Sequence, residues 1–278
     1  MLRLATPERL RALIGENLGR LAEVLRFNVD HDIRLFRLSS DVIPFGSHPA
    51  NGVPWWEEFA DELAALGNLI RGGGLRVSVH PGQYTVLSSP DPRVTTAAAN
   101  DLVYHARLLD ALALDSTHKI VVHGGGVYGD KAAAIARWVE HFRGLPENVQ
   151  SRLLIENDER LFGADDVLRL SALTGVPVVF DVLHHRVYAG DGADLSLPAA
   201  LRAAGATWDG ERDGVPKIHY SSQAGGRRPG AHAEYVDPDE FAAFLAAAPA
   251  DLPFDCMLEA KAKDFALFRL REALHLTA

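Results

Sequence analysis

The chain has 278 residues, of which 47% are hydrophobic and 23% charged, so it can build a sizeable core and shows no bias towards disorder. Its formal net charge of −9 argues against a protein that coats nucleic acid through a basic face, although local contacts stay open. The single cysteine, Cys256, excludes an internal disulfide, and no apolar run approaches the roughly 20 residues that cross a bilayer. We therefore expect a globular cytoplasmic protein with no membrane partner.

The first predicted element is a helix, in which Thr6 is the N-cap, Pro7 takes the first helical position and apolar residues recur through Leu25. Seven short runs rich in Val, Ile and Leu then alternate with amphipathic, Ala- and Leu-rich stretches. This alternation predicts a parallel sheet with helices outside it. The predicted strands cover residues 32–39, 75–80, 119–123, 152–156, 177–181, 216–220 and 255–259.

No linker or charge block divides these elements, so we expect one domain over residues 1–278. The length suits an α/β fold of the TIM (β/α)₈ type, which typically takes about 250 residues. Seven strands are one too few, and the missing one would precede Thr6. We expect either that the natural protein starts upstream of Met1 or that the barrel is open at this point.

Histidines and carboxylates lie at or beside the ends of six predicted strands, where a barrel gathers its catalytic side chains. One such residue alone is more often a hydrogen-bonded structural group, roughly three times in four. Six on six strands instead point to one shared site, and nitrogen and oxygen ligands suit Zn²⁺, Mn²⁺ or Fe²⁺. The six residues are His80, His123, Glu156, Asp181, His219 and Glu259.

Loop residues extend this set. His184 follows Asp181 by three residues on a predicted loop, and we expect its neighbour His185 to be solvated, since consecutive side chains rarely reach one point. His232 follows a glycine-rich stretch. Eight candidate ligands are too many for one ion and favour two or three metals, which together activate water and stabilise a leaving oxygen.

Strand geometry sorts some of the remaining residues. Lys217 and His219 are two apart and so face the same side of their strand, whereas Cys256 points away from Glu259 and is not expected to be a ligand. The stretch "LRVSVHPGQYTVLSSP" ends a buried strand in a histidine and then holds Gln83 and Tyr84 on a rigid Pro-Gly turn. Without other motifs, we would interpret Tyr84 as an aromatic residue packed under its loop.

Several motifs together carry a family resemblance over residue 3 to the last strand. They are "NVDHDIRLFRLSSDVIPFGSHP", "SVHPGQY", "SSPDP", "LLIENDERLF", "VVFDVLHH", "KIHYSSQ" and "RRPGAHAEYV". In this order the sequence resembles the UV damage endonucleases, relatives of the endonuclease IV group of abasic-site nucleases. Members of that family begin with a short strand that carries a Tyr and an Asn, and neither residue precedes Thr6 here.

The resemblance implies a rim that holds a cluster of divalent metals, usually Mn²⁺, with Zn²⁺ as an alternative. It implies three ligand groups: His80, His123 and Glu156; Glu156, Asp181, His219 and Glu259; and His184 with His232. Two further residues enter the catalytic set beside Glu156. Lys217 matches the family's site lysine, which is carboxylated in some members, and His48 matches a histidine near the phosphate.

The implied activity is a nick immediately 5′ to a UV photoproduct in double-stranded DNA by a monomeric enzyme, with other lesions such as abasic sites as further candidate substrates. Gln83 and Tyr84 would probe the lesion, because a weakly stacked damaged dinucleotide costs less to extrude than normal bases. Arg227 and Arg228 would contact phosphates, although an isolated arginine pair is by default a solvated face.

Two alternatives stay open at this stage. A sugar isomerase or epimerase barrel carries a similar rim of histidines and carboxylates, but it would need a closed, small pocket and leaves the Gln83–Tyr84 and Arg227–Arg228 pairs unexplained. A non-catalytic module that only binds damage is the other; the complete set of matched ligands argues against it.

Overall fold

The computed structural model describes residues 5–190 and 195–276 of the chain. The chain divides into two compact units, which are Met1–Val122 with Tyr128–Leu153, and His123–Val127 with Leu154–Ala278. The single domain over residues 1–278 stays a prediction.

The first unit opens with helix α1, Pro7–Asp30, as its sequence predicts. The Thr6 hydroxyl accepts the backbone N–H of Arg9 at 3.4 Å, and Pro7 loses nothing at a position whose N–H has no helical partner. One face of the helix is buried at a spacing of three and four residues. Its apolar members are Leu10, Ile14, Leu18, Leu21 and Leu25.

Three strands of this unit are β1 (Leu35–Leu38), β2 (Arg76–Val79) and β3 (Lys119–His123), whose last residue, His123, belongs to the second unit. They pair in parallel, with Leu35 opposite Arg76 and Ser78 opposite Lys119. The remaining helices of the unit are α2 (Trp55–Glu58), α3 (Ala60–Gly72), α4 (Pro92–Ala111), α5 (Lys131–Arg143) and α6 (Glu147–Gln150).

The second unit repeats this alternation. Its strands are β4 (Leu153–Glu156), β5 (Val178–Asp181), β6 (Lys217–Tyr220) and β7 (Asp255–Leu258), which pair in parallel in chain order. Its helices are α7 (Ala164–Thr174), α8 (Val182–Val187), α9 (Leu197–Gly205), α10 (Pro238–Ala247) and α11 (Asp264–Ala273). Strands β4, β5 and β6 are buried along their whole length, so both of their faces are covered.

All seven strands lie inside the runs that the sequence predicts. Because neighbouring strands are parallel within each unit, their carboxyl ends and the loops that follow reach the same edge of the sheet. The first barrel strand, expected to be absent from this chain, stays a prediction, and residues 1–4 lie outside the described part of the chain. Among the described helices, none is long and apolar enough to cross a membrane.

Candidate functional site

The carboxyl ends of the second unit's strands bring two groups of metal-ligand side chains together. Glu156, Asp181, His219 and Glu259 each offer a ligand atom, and these atoms lie within 4.8 Å of one another. Asp181 also belongs to a second group, with His184 and His232, whose ligand atoms likewise lie within 4.8 Å of one another. The sequence places these residues up to about a hundred positions apart, and only the parallel pairing of the strands makes them neighbours.

Glu156 stands at the centre of the closest contacts. Its Oε1 accepts a hydrogen bond from His219 Nδ1 at 2.7 Å, and its Oε2 lies 3.6 Å from His123 Nε2. His219 Nδ1 is also 3.2 Å from Glu259 Oε1, while Glu259 Oε2 lies 3.6 Å from His232 Nδ1. Both oxygens of each carboxylate therefore face imidazole nitrogens, an arrangement suited to carboxylates that bridge two cations.

Asp181 divides its two oxygens between different tasks. Its Oδ1 accepts the backbone N–H of His184 at 2.7 Å and so caps helix α8. Its Oδ2 is buried and has no hydrogen-bond partner among the described residues, a costly condition that a bound cation would relieve. Burial raises the pKa of Asp181 well above its ordinary value, and the nearby Glu156 and Glu259 carboxylates raise it further.

His184 lies on helix α8 rather than on the loop that the sequence predicts, because Asp181 caps a helix directly after β5. Its Nδ1 is 2.9 Å from the carbonyl oxygen of Asn157 and must therefore be a donor, which leaves Nε2, 4.0 Å from Glu159 Oε2, as the nitrogen available to a metal. Burial lowers the pKa of His184, but Asp181, Glu156 and Glu159 outweigh it and raise the pKa to about 9. The site thus concentrates negative charge, and a metal would displace a proton from this ring.

Asn157 is a residue of this site that sequence reasoning missed. It is fully buried, its Nδ2 donates to the carbonyl of Asp181 at 3.0 Å, and its Oδ1 accepts the Asp181 N–H at 2.8 Å. Since its own carbonyl accepts from His184, it fixes two candidate ligands at once, as outer partners of metal ligands commonly do. An amide directly after a strand-end glutamate was the available signal.

The prediction of a solvated loop histidine at position 185 is wrong. His185 lies on α8 and is half-buried, with its Nε2 2.9 Å from the carbonyl oxygen of Leu195 and its ring 5.0 Å from that of Phe180. Burial lowers its pKa. It faces a different group of residues from its neighbour because consecutive positions on a helix point about 100° apart.

A short hairpin-like loop after β6 carries His232. Gln223 forms an antiparallel bridge with His232, and its side chain accepts the N–H of Gly230 at 2.8 Å. Gly230 has a φ of +78°, and a Cβ there would lie 2.8 Å from the side chain of Glu159, so glycine permits both the turn and the close approach. Arg227 and Arg228 are exposed at the tip of this loop.

Lys217 and His219 lie two apart on β6, and both side chains are buried, at 1% and 0% exposure. The lysine that the sequence predicts on the same strand face as His219 is therefore buried inside the unit. Cys256 is in neither of the two groups of candidate ligands described above.

The predicted probing turn lies in the first unit, directly after β2. Tyr84 is 66% exposed and Gln83 is also exposed, which contradicts a tyrosine packed under its loop. The Thr85 N–H donates to the Gly82 carbonyl at 2.9 Å and closes the turn. A Cβ on Gly82 would lie 2.4 Å from the Tyr84 ring, so the ring rests on the bare backbone of the glycine.

Buried polar side chains support this turn from α4. The Thr85 hydroxyl donates to Asp101 at 2.6 Å, and His105 binds the Asp101 carbonyl through Nδ1 at 2.7 Å and the Ser40 hydroxyl through Nε2 at 3.0 Å. Ser40 in turn donates to the His80 carbonyl at 3.4 Å. The network connects the end of β2 with the residue that follows Tyr84 and restricts the conformations open to the turn.

His48 is exposed in the first unit, and its Nδ1 accepts the N–H of Ala50 at 3.0 Å. In the neutral ring Nε2 is then the protonated nitrogen, which can donate to a phosphate oxygen. The grouping of His80, on the same unit, with His123 and Glu156 stays a prediction.

Parallel strands that alternate with helices and present nitrogen and oxygen side chains at their carboxyl ends define a class of barrel-type enzymes with a candidate divalent-metal site. Within that class, the family model for UV-endonuclease UvdE matches residues 4–277, so the chain belongs to the UvdE family of UV DNA damage endonucleases. The resemblance recognised from the motifs is thereby confirmed.

Individual relatives agree with this assignment. A UV DNA damage endonuclease of Clostridium perfringens (strain 13 / Type A) is 38% identical over 97% of this chain and 65% of the relative, so the chain spans less than two thirds of that protein. A UV DNA damage endonuclease of Bacillus cereus (strain G9842) is 35% identical over 96% of this chain and 83% of the relative.

Among solved structures, the crystal structure of SacUVDE matches with a TM-score of 0.89 and 36% identity over 97% of this chain and 89% of that one. Endonuclease IV from Thermus thermophilus matches with a TM-score of 0.61 and 20% identity over 92% of this chain and 95% of that one, which shows the fold alone. The predicted TIM-type fold class is confirmed. Two D-psicose 3-epimerase structures share the fold at 17% and 18% identity and lend no support to an epimerase activity here.

Proposed function

We propose that this protein is a metal-dependent endonuclease that nicks the damaged strand of duplex DNA immediately 5′ to a UV photoproduct, with other lesions such as abasic sites as further candidate substrates. One observation carries the proposal. Two groups of nitrogen and oxygen ligands share the buried Asp181, and within each group the ligand atoms lie within 4.8 Å of one another. The chain that carries them belongs to a family of DNA damage endonucleases. Divalent cations bound there would supply an activated water and would stabilise the oxygen that leaves the phosphorus.

The proposed ligands divide between two or three ions. Glu156 would serve two ions, because each of its oxygens faces a different histidine. The second unit would hold one ion through Glu156, Asp181, His219 and Glu259, and another through His184 and His232 with Asp181. His80, with His123 and Glu156, would hold a third. Mn²⁺ is our first choice of metal and Zn²⁺ the second, because the donors are imidazole and carboxylate without thiolate.

Two further residues have proposed catalytic tasks. His48 would donate from Nε2 to a phosphate oxygen, since its Nδ1 is already an acceptor. Lys217 lies two residues before His219 on β6 and is buried at 1% exposure, and its amine, or a carbamate formed on it, would contribute to the site.

Damage recognition would fall to Gln83 and Tyr84. Both are exposed on a turn that the buried Thr85–Asp101 contact restrains, so they can enter a duplex without losing much conformational entropy. A photoproduct is weakly stacked, and the pair would occupy the space that its extruded nucleotides leave. Arg227 and Arg228, exposed on the loop after β6, would contact backbone phosphates.

The remaining parts of the proposal concern the setting. We expect the enzyme to act as a monomer in the cytoplasm on UV-damaged double-stranded DNA. Because the net charge is −9, DNA affinity would depend on local contacts between basic side chains and phosphates. The fall in affinity with rising salt would therefore reflect the number of those contacts.

The test is a nicking assay on one duplex, irradiated and unirradiated, with purified protein before and after chelation and after Mn²⁺ is added back. We expect nicks only in irradiated DNA, with 3′-hydroxyl and 5′-phosphate ends, and only when metal is present. The Gln83→Ala, Tyr84→Ala double variant is titrated in parallel against both duplexes at one fixed salt concentration.

The outcomes separate the parts of the proposal. Binding of damaged DNA without nicking in every metal condition would make the chain a recognition module and would refute the enzyme assignment. Nicking that survives chelation would refute the metal site. If the double variant keeps the parent's preference for damaged DNA, the probing role of Gln83 and Tyr84 is wrong.

A further inference from the structure

The turn after β3 presents an exposed aromatic ring that the proposed function does not use. Tyr128 is 52% exposed and has a φ of +51°, a left-handed conformation that is uncommon for a bulky residue. Gly129 follows with a φ of +81°, and Asp130 then caps helix α5 by accepting the N–H of Ala133 at 3.0 Å. The fold holds Tyr128 in a strained conformation while leaving about half of the residue in solvent, so burial alone does not explain it.

Arg137 of helix α5 contacts the Tyr128 ring. Its guanidinium carbon is 5.7 Å from the centre of the Tyr128 ring, within the range of a cation–π contact. The same side chain is anchored, because its Nε donates to the carbonyl of Ser88 at 2.7 Å. A ring held by an anchored arginine loses little further freedom when a flat partner stacks on its open face.

The Tyr128 turn and the Tyr84 turn belong to one surface of the first unit. Strands β2 and β3 are parallel neighbours, so the loops that follow them reach the same edge of the sheet. Helix α5 also holds the loop after Tyr84 directly: Arg137 binds Ser88, and one turn later His141 Nδ1 donates to the carbonyl of Leu87 at 2.7 Å. Two exposed tyrosines thus lie on loops that reach the same edge of the sheet and that helix α5 connects.

We propose that Tyr128, supported by Arg137, is a second stacking residue for DNA, which contacts a nucleotide beside the lesion rather than the lesion itself. The inference rests on the proposed function, because it takes DNA as the molecule that Tyr84 meets. Aromatic stacking accepts any base, and an arginine beneath the ring strengthens it. Tyr128 therefore adds affinity that does not depend on damage, whereas Gln83 and Tyr84 supply the preference for damage.

The test compares Tyr128→Ala and Tyr128→Phe with the parent on irradiated and unirradiated duplexes of one sequence at fixed salt. We expect Tyr128→Ala to weaken binding about tenfold on both duplexes, so that the ratio of the two affinities is unchanged. Tyr128→Phe keeps the ring and should stay within about twofold of the parent. Phe27→Ala is the matched control, since Phe27 is an exposed aromatic residue of the same unit. It lies near the end of α1, which leads into the start of β1 and so lies at the edge of the sheet opposite to the carboxyl ends of the strands.

A crosslinking measurement keeps the inference testable if the alanine variant does not fold. The parent is irradiated with duplexes that carry 5-iododeoxyuridine at single positions flanking the lesion, and the crosslinked peptide is identified by mass spectrometry. An adduct at Tyr128 supports the inference; adducts elsewhere with none at Tyr128 overturn it.

Three binding results overturn it as well. The first is a Tyr128→Ala variant that matches the parent on both duplexes, and the second is a Phe27→Ala variant that loses as much affinity as Tyr128→Ala. The third is a loss of affinity in Tyr128→Ala for damaged DNA alone, which would make the residue a lesion probe. Failure of the proposed function has a different signature, because the parent itself would then show no preference for irradiated DNA.

Discussion

Replacing Asn157 by Ala should damage both the stability of the second unit and its proposed metal site. The Asn157 side chain is fully buried and makes two hydrogen bonds to the backbone of Asp181, one to the N–H at 2.8 Å and one from Nδ2 to the carbonyl at 3.0 Å. Alanine can make neither bond. The substitution therefore leaves a buried donor and a buried acceptor of Asp181 without their partners.

The size of the effect follows from these two groups. A buried polar group that loses its partner costs about 1–3 kcal/mol, so the pair costs about 2–6 kcal/mol. A central value of about 4 kcal/mol corresponds to a fall in melting temperature of about 8–16 °C at about 2–4 °C per kcal/mol for a chain of this size class. Because outer partners of metal ligands typically set affinity, we also expect metal binding to weaken about 10–100-fold.

The assay has two readouts. Thermal unfolding of the metal-free protein reports the change in stability, and metal content after dialysis against a fixed Mn²⁺ concentration reports the site. Asn148→Ala is the matched control, because the Asn148 side chain also donates a hydrogen bond, to Asp110 at 2.6 Å, but at an exposed position where the loss should stay within about 0.5 kcal/mol. If Asn157→Ala unfolds within about 2 °C of the control, at about 2–4 °C per kcal/mol, and binds as much metal, the reasoning about Asn157 is refuted.

Three further predictions concern the metals, the turn and the phosphate contacts. Glu156→Gln should lower bound metal and abolish nicking, because an amide cannot bridge two cations; full activity in the variant would contradict the bridging assignment. Gly82→Ala should displace the Tyr84 ring, which a Cβ would meet at 2.4 Å, and reduce the preference for irradiated DNA with little change in affinity for undamaged duplex; an unchanged preference would show that ring position is unimportant. The Arg227→Ala, Arg228→Ala double variant should weaken binding to both duplexes alike and reduce the salt dependence of binding by about 0.9 in log–log slope for each phosphate that is no longer neutralised; an unchanged slope would leave the pair as a solvated face.

Local sequence determined the strands and the first helix. Val-, Ile- and Leu-rich runs such as residues 177–181 have no competing helical period, and Thr6 followed by Pro7 satisfies the start of α1 through a local hydrogen bond. The strand-end histidines and carboxylates could be located because the ends of the strands were themselves predictable. Once a strand's end is known, parallel pairing sends that end to the carboxyl edge of the sheet.

The motifs determined the family, but only the tertiary structure decided which atoms meet. Asn157 reaches the backbone of Asp181 because β4 and β5 pair in register, a contact across 24 positions that no local pattern encodes. The sequence predicts His184 on a loop, but it lies on a helix because the Asp181 side chain caps that helix. The exposure of Tyr84 and the arginine beneath Tyr128 likewise depend on neighbours that loop and helix packing supply. Sequence specifies residue types and local periodicity, whereas burial and hydrogen-bond partners are set by chain segments that are distant in sequence and become adjacent only on folding.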